Sequence, residues 1–161
     1  MLARLEDREI EFPKTAVNIS ATVHRTVEIM QVLATEKGIQ IEENIEPNLI
    51  TQLNEEKFMQ IGMIFLENAI KYVDKQGRIE INAYQKDGQV VVSVQNTGPG
   101  IPAKSLPKLF DRFYRVDERS KAGSGLGLPI AKEIVEQLGG ELTVDSIENE
   151  VTTVLVKFQV Q

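Results

Sequence analysis

The fold is decided by a stretch in the middle of the chain, residues 78–100, which runs RIEINAYQKDGQVVVSVQNTGPG. Polar and apolar residues alternate over 78–85, as expected of a strand with one buried face. Lys86-Asp87-Gly88 is a hairpin turn, because Asp-Gly accepts the positive φ angles that a tight turn needs. A return strand over 89–95 ends at a break rich in glycine and proline. The stretch therefore predicts an antiparallel β-hairpin.

Three amphipathic helices are predicted around this hairpin. Asn18 caps the first helix, whose apolar residues recur at three- and four-residue steps up to Gly38. Asn54 caps the second helix, and the third covers residues 126–138. The apolar face of the second helix consists of Phe58, Ile61, Phe65, Ala69 and Tyr72. Each helix therefore has one side suited to packing on a sheet.

The shorter segments complete the prediction of the fold. Strands are predicted near residues 39–45, 49–52, 141–146 and 152–160, with an edge strand around 9–12. Strands that arrive as hairpins favour a mixed, mostly antiparallel sheet with the helices on one face. We therefore predict an α+β fold, a two-layer α/β sandwich with three main helices, and not a doubly wound Rossmann fold.

Length and composition limit the classes of protein that fit. The chain has 161 residues, which is the size of one domain with a substantial core. Its net charge of −6 argues against a protein that binds nucleic acid polymers. With no cysteine, disulfides and thiolate metal sites are excluded. No apolar run approaches the roughly 20 residues that a membrane-spanning helix needs.

The charge is unevenly distributed along the chain. Residues 104–121 contain six basic and three acidic side chains, a net of +3. An anion-binding segment in an acidic protein would have this character. A solvated loop with a chance excess of basic residues would look the same, so composition leaves both explanations open.

Three features break the pattern expected of a simple core. Asn68 lies near the apolar stripe of the second helix, with Lys71 along the same side; an amide there needs a hydrogen bond or a ligand. Residues 96–102, NTGPGIP, would let the backbone approach a ligand, or would make an ordinary turn. Residues 123–128, GSGLGL, would present N–H groups to phosphate, or form a hinge. Together, and in this order, such features could surround one nucleotide.

These motifs resemble the catalytic ATP-binding domain of bacterial sensor histidine kinases, in the gyrase, Hsp90, histidine kinase and MutL (GHKL) superfamily. The sequence ENAIKY at 67–72 resembles the N box, and NTGPGI at 96–101 the first glycine box. LFDRFYR at 109–115 resembles the F box, and GSGLGL at 123–128 the second glycine box. The resemblance spans about residues 17–158 and implies the Bergerat ATP-binding fold.

The resemblance also implies roles for individual residues, with ATP and Mg²⁺ as cofactors. Asn68 would coordinate Mg²⁺ that bridges the ATP phosphates, while Lys71 and Arg115 would contact phosphate. These three are the implied catalytic residues. The other implied nucleotide-binding residues are Tyr72, Asn96, Gly98, Gly100, Ile101, Phe110, Gly123, Ser124, Gly125, Leu126, Gly127, Leu128 and Thr153.

Three positions depart from the family pattern. Asn96 stands where the family has Asp, so the adenine amino group would meet a neutral acceptor. Ile64 stands where the hydrolysing relatives have their general-base Glu, so ATP hydrolysis of the gyrase type is not expected. His24, the only histidine, lacks the family's acceptor-helix context and is interpreted as an ordinary helix residue.

The resemblance therefore predicts that residues 1–16 are the end of a dimerisation helix and a linker. Residues 17–161 would form the catalytic domain. This domain would transfer the ATP γ-phosphate to a histidine on a separate dimerisation and phosphoacceptor domain, with a cognate response regulator downstream. We expect a cytoplasmic domain, monomeric by itself and part of a homodimeric protein. Membrane anchoring of the whole protein is left open.

Other functional classes fit parts of the same sequence. A nucleotide-sensing or pseudokinase module would explain Asn96 and Ile64, and an anti-sigma-type serine kinase would share the ATP-binding fold. A plain interaction domain would bind no nucleotide. Nucleotide titration and phosphotransfer to histidine or serine acceptors distinguish these classes.

Overall fold

The computed structural model describes residues 12–111 and 127–161. The strands are β1 (Thr15–Asn18), β2 (Ile41–Ile45), β3 (Ile50–Leu53), β4 (Ile79–Lys86), β5 (Gln89–Thr97), β6 (Glu141–Ile147) and β7 (Val151–Gln159). The helices are α1 (Ile19–Glu36), α2 (Glu55–Tyr72) and α3 (Gly127–Gln137), and a 3₁₀ helix covers Ala103–Lys108.

Five strands form the main sheet in the order β2-β4-β5-β7-β6. The β4–β5, β5–β7 and β6–β7 pairs are antiparallel, and β2–β4 is parallel. Apolar residues of α1, α2 and α3 share one core cluster with one face of this sheet. The predicted two-layer sandwich with a mixed, mostly antiparallel sheet is confirmed.

The local signals in the sequence correspond to observed turns and caps. Asn18 Oδ1 accepts a hydrogen bond from Ala21 N at 3.0 Å, and Asn54 Oδ1 accepts one from Lys57 N at 3.0 Å. These bonds satisfy N–H groups in the first turns of α1 and α2, which otherwise have no partner in the helix. The hairpin turn has positive φ at Asp87 (53°) and Gly88 (76°), as predicted from the dipeptide.

One strand at the start of the domain differs from the prediction. Residues 15–18 form β1, which pairs antiparallel with β3 in a separate two-stranded sheet and buries Val17. The sequence instead favours an edge strand over residues 9–12; 9–11 lie outside the described ranges, and Phe12 is not in a strand. β1 also crosses the predicted domain boundary between residues 16 and 17.

Strand alternation fixes which residues of β5 face the helices. Val90, Val92 and Val94 belong to the shared core, so Asn96, two residues further on, lies on the same face. The paired residues of the neighbouring strands are Ile79 in β4 and Thr152 in β7. The helix-facing side of the sheet is therefore apolar until the end of β5, where it becomes polar.

None of the helices within residues 12–111 and 127–161 has the length and apolar character needed to cross a membrane. α1 and α2 each have 18 residues and one apolar face. The buried apolar residues of both helices belong to the shared core.

His24 provides a pH-dependent contact between α1 and β2. Its Nδ1 lies 2.7 Å from Glu43 Oε1, and this hydrogen bond with its charge raises the pKa of the imidazole above the ordinary value. A raised pKa in the folded state means that the contact stabilises the fold fully below about pH 6.5. The contribution is then lost as the pH rises through the folded-state pKa.

We expect an NMR titration of the single histidine to give a midpoint above about 6.5. The Glu43→Gln variant should lower this midpoint, because it removes the charge next to the ring. Glu80→Gln on β4 is the control, since Glu80 bonds Asn44 instead of His24. A wild-type midpoint that Glu43→Gln leaves unchanged would show that the pair does not form.

Candidate nucleotide site

The last turn of α2 places three of the predicted site residues side by side. Asn68 is half-buried, and within the described residues its side chain makes no hydrogen bond. Lys71 Nζ lies 5.4 Å from the centroid of the Tyr72 ring. The helix ends because Val73 takes extended angles (φ −64°, ψ 138°), which turns the chain toward β4. In residues 12–111 and 127–161, no strand supplies the hydrogen bond that would be the alternative to a ligand for this amide.

Asn96 supplies a buried amide at the end of β5. Its side chain is 7% exposed, and Nδ2 donates a hydrogen bond to Thr97 O at 3.0 Å. In the part of the chain that the structure describes, Oδ1 accepts no hydrogen bond. A buried carbonyl oxygen without a donor is costly unless a ligand supplies one. The exocyclic amino group of an adenine is a donor of this kind.

The loop after β5 passes close to two other segments. A Cβ added to Gly98 would lie 2.6 Å from Tyr72 O, so only glycine allows the loop to touch the end of α2. Gly100 has φ +74°, and a Cβ there would lie 2.6 Å from Ile147 O in β6. Both glycines of the first box therefore meet a packing need of the protein itself, in addition to the ligand access predicted from the sequence.

The start of α3 lies beside α2. A Cβ on Gly127 would lie 3.5 Å from Ile64 Cγ2, one helical turn before Asn68. Ile64 is thus part of the contact between α2 and α3, and Leu128 packs against the same core. The N-terminal end of a helix has a positive partial charge and favours anions. Asn68 and the N-terminus of α3 therefore belong to one side of the domain.

Phe110 connects the segment after the 3₁₀ helix to α3. Lys132 Nζ lies 5.1 Å from the centroid of its ring, and the neighbouring Leu109 is buried. This placement attaches the segment around Phe110 to α3. Lys104 and Lys108, the first basic residues of the basic segment 104–121, are exposed on the 3₁₀ helix.

Comparison with known proteins places this geometry in a family. Residues 53–161 match the family described as histidine kinase-, DNA gyrase B-, and HSP90-like ATPase. The chain belongs to this ATPase family.

Several relatives of the chain are sensor kinases. It is 37% identical to the signal transduction histidine-protein kinase ArlS of Staphylococcus haemolyticus, with 89% of this chain and 32% of the relative covered. It is 41% identical to the sensor histidine kinase YkoH of Bacillus subtilis, with 83% and 30% covered. The chain therefore spans about a third of the length of the curated relatives it matches.

Solved structures agree with the family assignment. The mycobacterial sensor histidine kinase MprB matches with a TM-score of 0.80 and 27% identity over 91% of this chain and 99% of the other. Full-length ShkA, solved in complex with AMPPNP, matches with a TM-score of 0.83 and 28% identity over 99% of this chain and 34% of the other. The predicted histidine kinase fold is thereby confirmed.

One residue implied by the family resemblance lies on the wrong side of the sheet. Thr153 pairs with Gln95 and Asp145, so its side chain lies on the face away from the helices. Thr152 is the residue opposite Asn96. The alternating core residues Val154, Val156 and Phe158 show that Thr152, and not the predicted Thr153, lies on the helix-facing side beside Asn96.

Five further predicted residues lie outside the described ranges, namely Arg115, Gly123, Ser124, Gly125 and Leu126. Their roles in this ATPase domain stay predictions. The described residues 12–111 and 127–161 also contain no group of three or more His, Asp or Glu side chains that could hold a metal.

Two hydroxyls to which no pattern in the sequence points hold the first glycine box in place. Ser146 Oγ accepts a hydrogen bond from Ile101 N at 2.7 Å, and Thr97 Oγ1 donates one to Asp74 Oδ1 at 2.8 Å. A single hydroxyl has no characteristic spacing in a sequence. Only the position of Thr97 inside the NTGPGI motif could have indicated a role.

Proposed function

We propose that this chain is the catalytic ATP-binding domain of a sensor histidine kinase. It binds ATP with Mg²⁺ and delivers the γ-phosphate to a histidine on a separate acceptor domain. The observation that carries this proposal is the meeting of two segments at the end of the Asn68 helix. Gly98 packs against Tyr72 O, and Gly127 at the start of α3 packs against Ile64, one turn before Asn68.

The base end of the nucleotide is assigned to the end of β5. Asn96 Oδ1 accepts from the adenine amino group, which satisfies a buried oxygen that has no donor within the described residues. Thr152, opposite Asn96, replaces Thr153 in this assignment. Gly98, Gly100 and Ile101 supply the backbone that borders the base.

The phosphate end is assigned to α2 and α3. Lys71 contacts phosphate. The N-terminal end of α3 at Gly127 and Leu128 adds a positive partial charge that favours the phosphate. Arg115 and residues 123–126 complete this end as the lid, and Phe110 anchors it. Placing the γ-phosphate among positive groups lowers the barrier to phosphoryl transfer, because this reaction depends on positioning and charge neutralisation.

The donor set near Asn68 fits Mg²⁺. Mg²⁺ takes oxygen ligands and usually keeps several waters while bridging substrate phosphates. The Asn68 amide oxygen is such a ligand, and its side chain has no hydrogen bond within the described residues. When bound, the metal neutralises phosphate charge; the chain's own part is to hold and orient it.

The domain is proposed to transfer phosphate to a protein, without hydrolysing ATP by itself. Hydrolysis needs a general base near the attacking water. Ile64 has no such group and is in contact with Gly127. The phosphate acceptor would therefore be brought by another domain, which fits relatives that are about three times as long as this chain.

The partners follow from the kinase names of the relatives. We propose a dimerisation and phosphoacceptor domain in the same protein and a response regulator downstream. The residues that precede β1 would form the end of the connection to that domain. The domain would work in the cytoplasm and be monomeric by itself, within a homodimeric protein.

Titration calorimetry with ATP, with and without Mg²⁺, tests the proposal. We expect binding at micromolar to low millimolar nucleotide, strengthened by Mg²⁺. Absence of binding at millimolar ATP would overturn it in favour of an interaction domain. Phosphotransfer assays with histidine and serine acceptors then separate a histidine kinase from a serine kinase, and binding without any transfer would indicate a nucleotide sensor.

A further inference from the structure

The loop Gly98–Ile101 is attached to the rest of the domain by a hydroxyl on each side. On the first side, Thr97 Oγ1 donates to Asp74 Oδ1 at 2.8 Å and accepts from Arg78 N at 2.9 Å. Asp74 lies two residues after the end of α2, the helix that carries Asn68 and Lys71. Thr97 therefore connects the loop to the helix of the proposed phosphate site.

The packing around this contact leaves little room for movement. A Cβ on Gly77 would lie 2.1 Å from Asp74 Oδ1 and 2.4 Å from Thr97 Oγ1. The backbone adds a second connection, since Asp74 N donates to Thr97 O at 3.3 Å. The two segments are therefore in close contact at side-chain and backbone level.

On the second side, Ser146 holds the loop to the β6–β7 hairpin. Its Oγ accepts from Ile101 N at 2.7 Å and donates to Val151 O at 3.1 Å. It also lies 3.2 Å from Oγ1 of Thr152, the residue opposite Asn96. Ser146 thus connects the loop to the strand that borders the proposed adenine site.

Backbone bonds of the same hairpin surround the Ser146 contact. Asn149 N donates to Pro99 O at 2.6 Å, and Gly98 N donates to Glu150 O at 3.1 Å. These two bonds join Gly98 and Pro99 of the loop to the β6–β7 turn. The loop is consequently held between the end of α2 and the β6–β7 turn.

We propose that Thr97 and Ser146 are positioning residues that hold the first glycine box in the conformation that binds nucleotide. Both hydroxyls are engaged with protein groups, so they act through the loop and not by touching the ligand. A loop held in its binding conformation before the ligand arrives loses less entropy on binding. The proposal rests on the proposed function, because it assumes that the loop borders a bound nucleotide.

Two matched pairs of variants test the idea with AMPPNP and Mg²⁺ as the probe. Ser146→Ala is compared with Ser20→Ala, since Ser20 Oγ also accepts from one backbone N–H (Leu49) and donates to one carbonyl (Glu46). Thr97→Val is compared with Thr51→Val. Thr51 Oγ1 accepts from Gln161 N and donates to Gln159 O, next to the start of β5, at the other end of the sheet from Asn96.

We expect Ser146→Ala and Thr97→Val each to lower the affinity for AMPPNP by about fivefold. Thr97→Ser, which keeps the hydroxyl, should bind almost as well as the wild type. The control variants should lose similar thermal stability with unchanged affinity. Melting curves recorded in parallel ensure that each compared protein is folded.

Each outcome decides between distinct explanations. If the wild type binds AMPPNP and the two site variants bind equally well, the positioning role is wrong and the proposed function stands. If Thr97→Ser binds as weakly as Thr97→Val, the hydroxyl is not the cause, and the role of Thr97 is wrong. If the controls lose as much affinity as the site variants, the effect is one of global stability and the positioning role is wrong. No binding by folded wild-type protein overturns the proposed function together with this inference.

Discussion

Asn68→Ala is expected to remove most of the effect of Mg²⁺ on ATP binding. In the wild type, the amide oxygen at the end of α2 would complete the ligands of a metal that the phosphates and waters hold on its other sides. Without it, the affinity for ATP in the presence of Mg²⁺ should fall about tenfold, while the metal-free affinity should change little. Calorimetric titrations of both proteins, with Mg²⁺ and with chelator, measure the difference.

The structure offers a control in the same helix. Gln60 is an exposed amide of α2, two turns before Asn68 and outside the proposed site. Gln60→Ala should bind ATP like the wild type under both conditions. Mn²⁺ in place of Mg²⁺ gives an independent observation, because it should broaden the NMR signals of the Asn68 amide in the presence of ADP. An unchanged Mg²⁺ effect in Asn68→Ala would overturn the metal-ligand role.

The parts of the fold that the sequence predicted correctly depend on local chemistry. Asn18 and Asn54 are helix caps because their side chains accept hydrogen bonds from N–H groups three residues ahead. The Asp87-Gly88 turn needs positive φ at both positions, and this dipeptide accepts it. Such features involve residues close in sequence, so a pattern of a few letters is enough to predict them.

The features that were missed depend on residues far apart in the chain. β1 is short, and it becomes a strand by pairing with β3, more than 30 residues later. The parallel pairing of β2 with β4 likewise joins segments on either side of α2. No local pattern specifies a partner at this distance, because pairing is decided by burial and register in the finished sheet.

The candidate site shows the same difference between local motifs and contacts that join distant parts of the chain. The motifs around Asn68, Asn96, Phe110 and Gly127 could be recognised because all four occur in order. The hydroxyl of Ser146 and the carboxylate of Asp74 hold the loop through single contacts with distant residues. Which threonine of β7 lies beside Asn96 depends on the register of the strand. Thr152 and Thr153 are chemically identical, and only the alternation with Val154 shows that Thr152 is the one.

Asn96→Asp is expected to destabilise the protein without nucleotide, by about 2 kcal/mol at neutral pH. The Asn96 amide donates to Thr97 O at 3.0 Å from a buried position, whereas a carboxylate would turn an oxygen toward that carbonyl. For a chain of this size, such a loss lowers the melting temperature by about 4–8 °C. Thermal melts of the ligand-free proteins measure it.

The pH dependence of this effect distinguishes charge from packing. Burial next to a carbonyl raises the pKa of a carboxyl group, because both disfavour the ionised form. A raised folded-state pKa means that Asn96→Asp is tolerated at low pH, where its new carboxyl group is protonated, and that stability is lost as the pH rises through that pKa. The difference from the wild type should therefore be smaller at pH 5 than at pH 8. Asn82→Asp, on the sheet face away from the helices, is the control.

Nucleotide should reverse part of the loss. The adenine amino group would donate to the carboxylate, and a charged acceptor makes a hydrogen bond about twice as strong as a neutral one. ATP with Mg²⁺ should therefore raise the melting temperature of Asn96→Asp by more than that of the wild type, and calorimetry should show tighter binding by the folded variant. If ATP stabilises both proteins equally, Asn96 does not contact the base. If the ligand-free variant melts like the wild type at every pH, the buried hydrogen bond to Thr97 is not what holds the Asn96 amide in place.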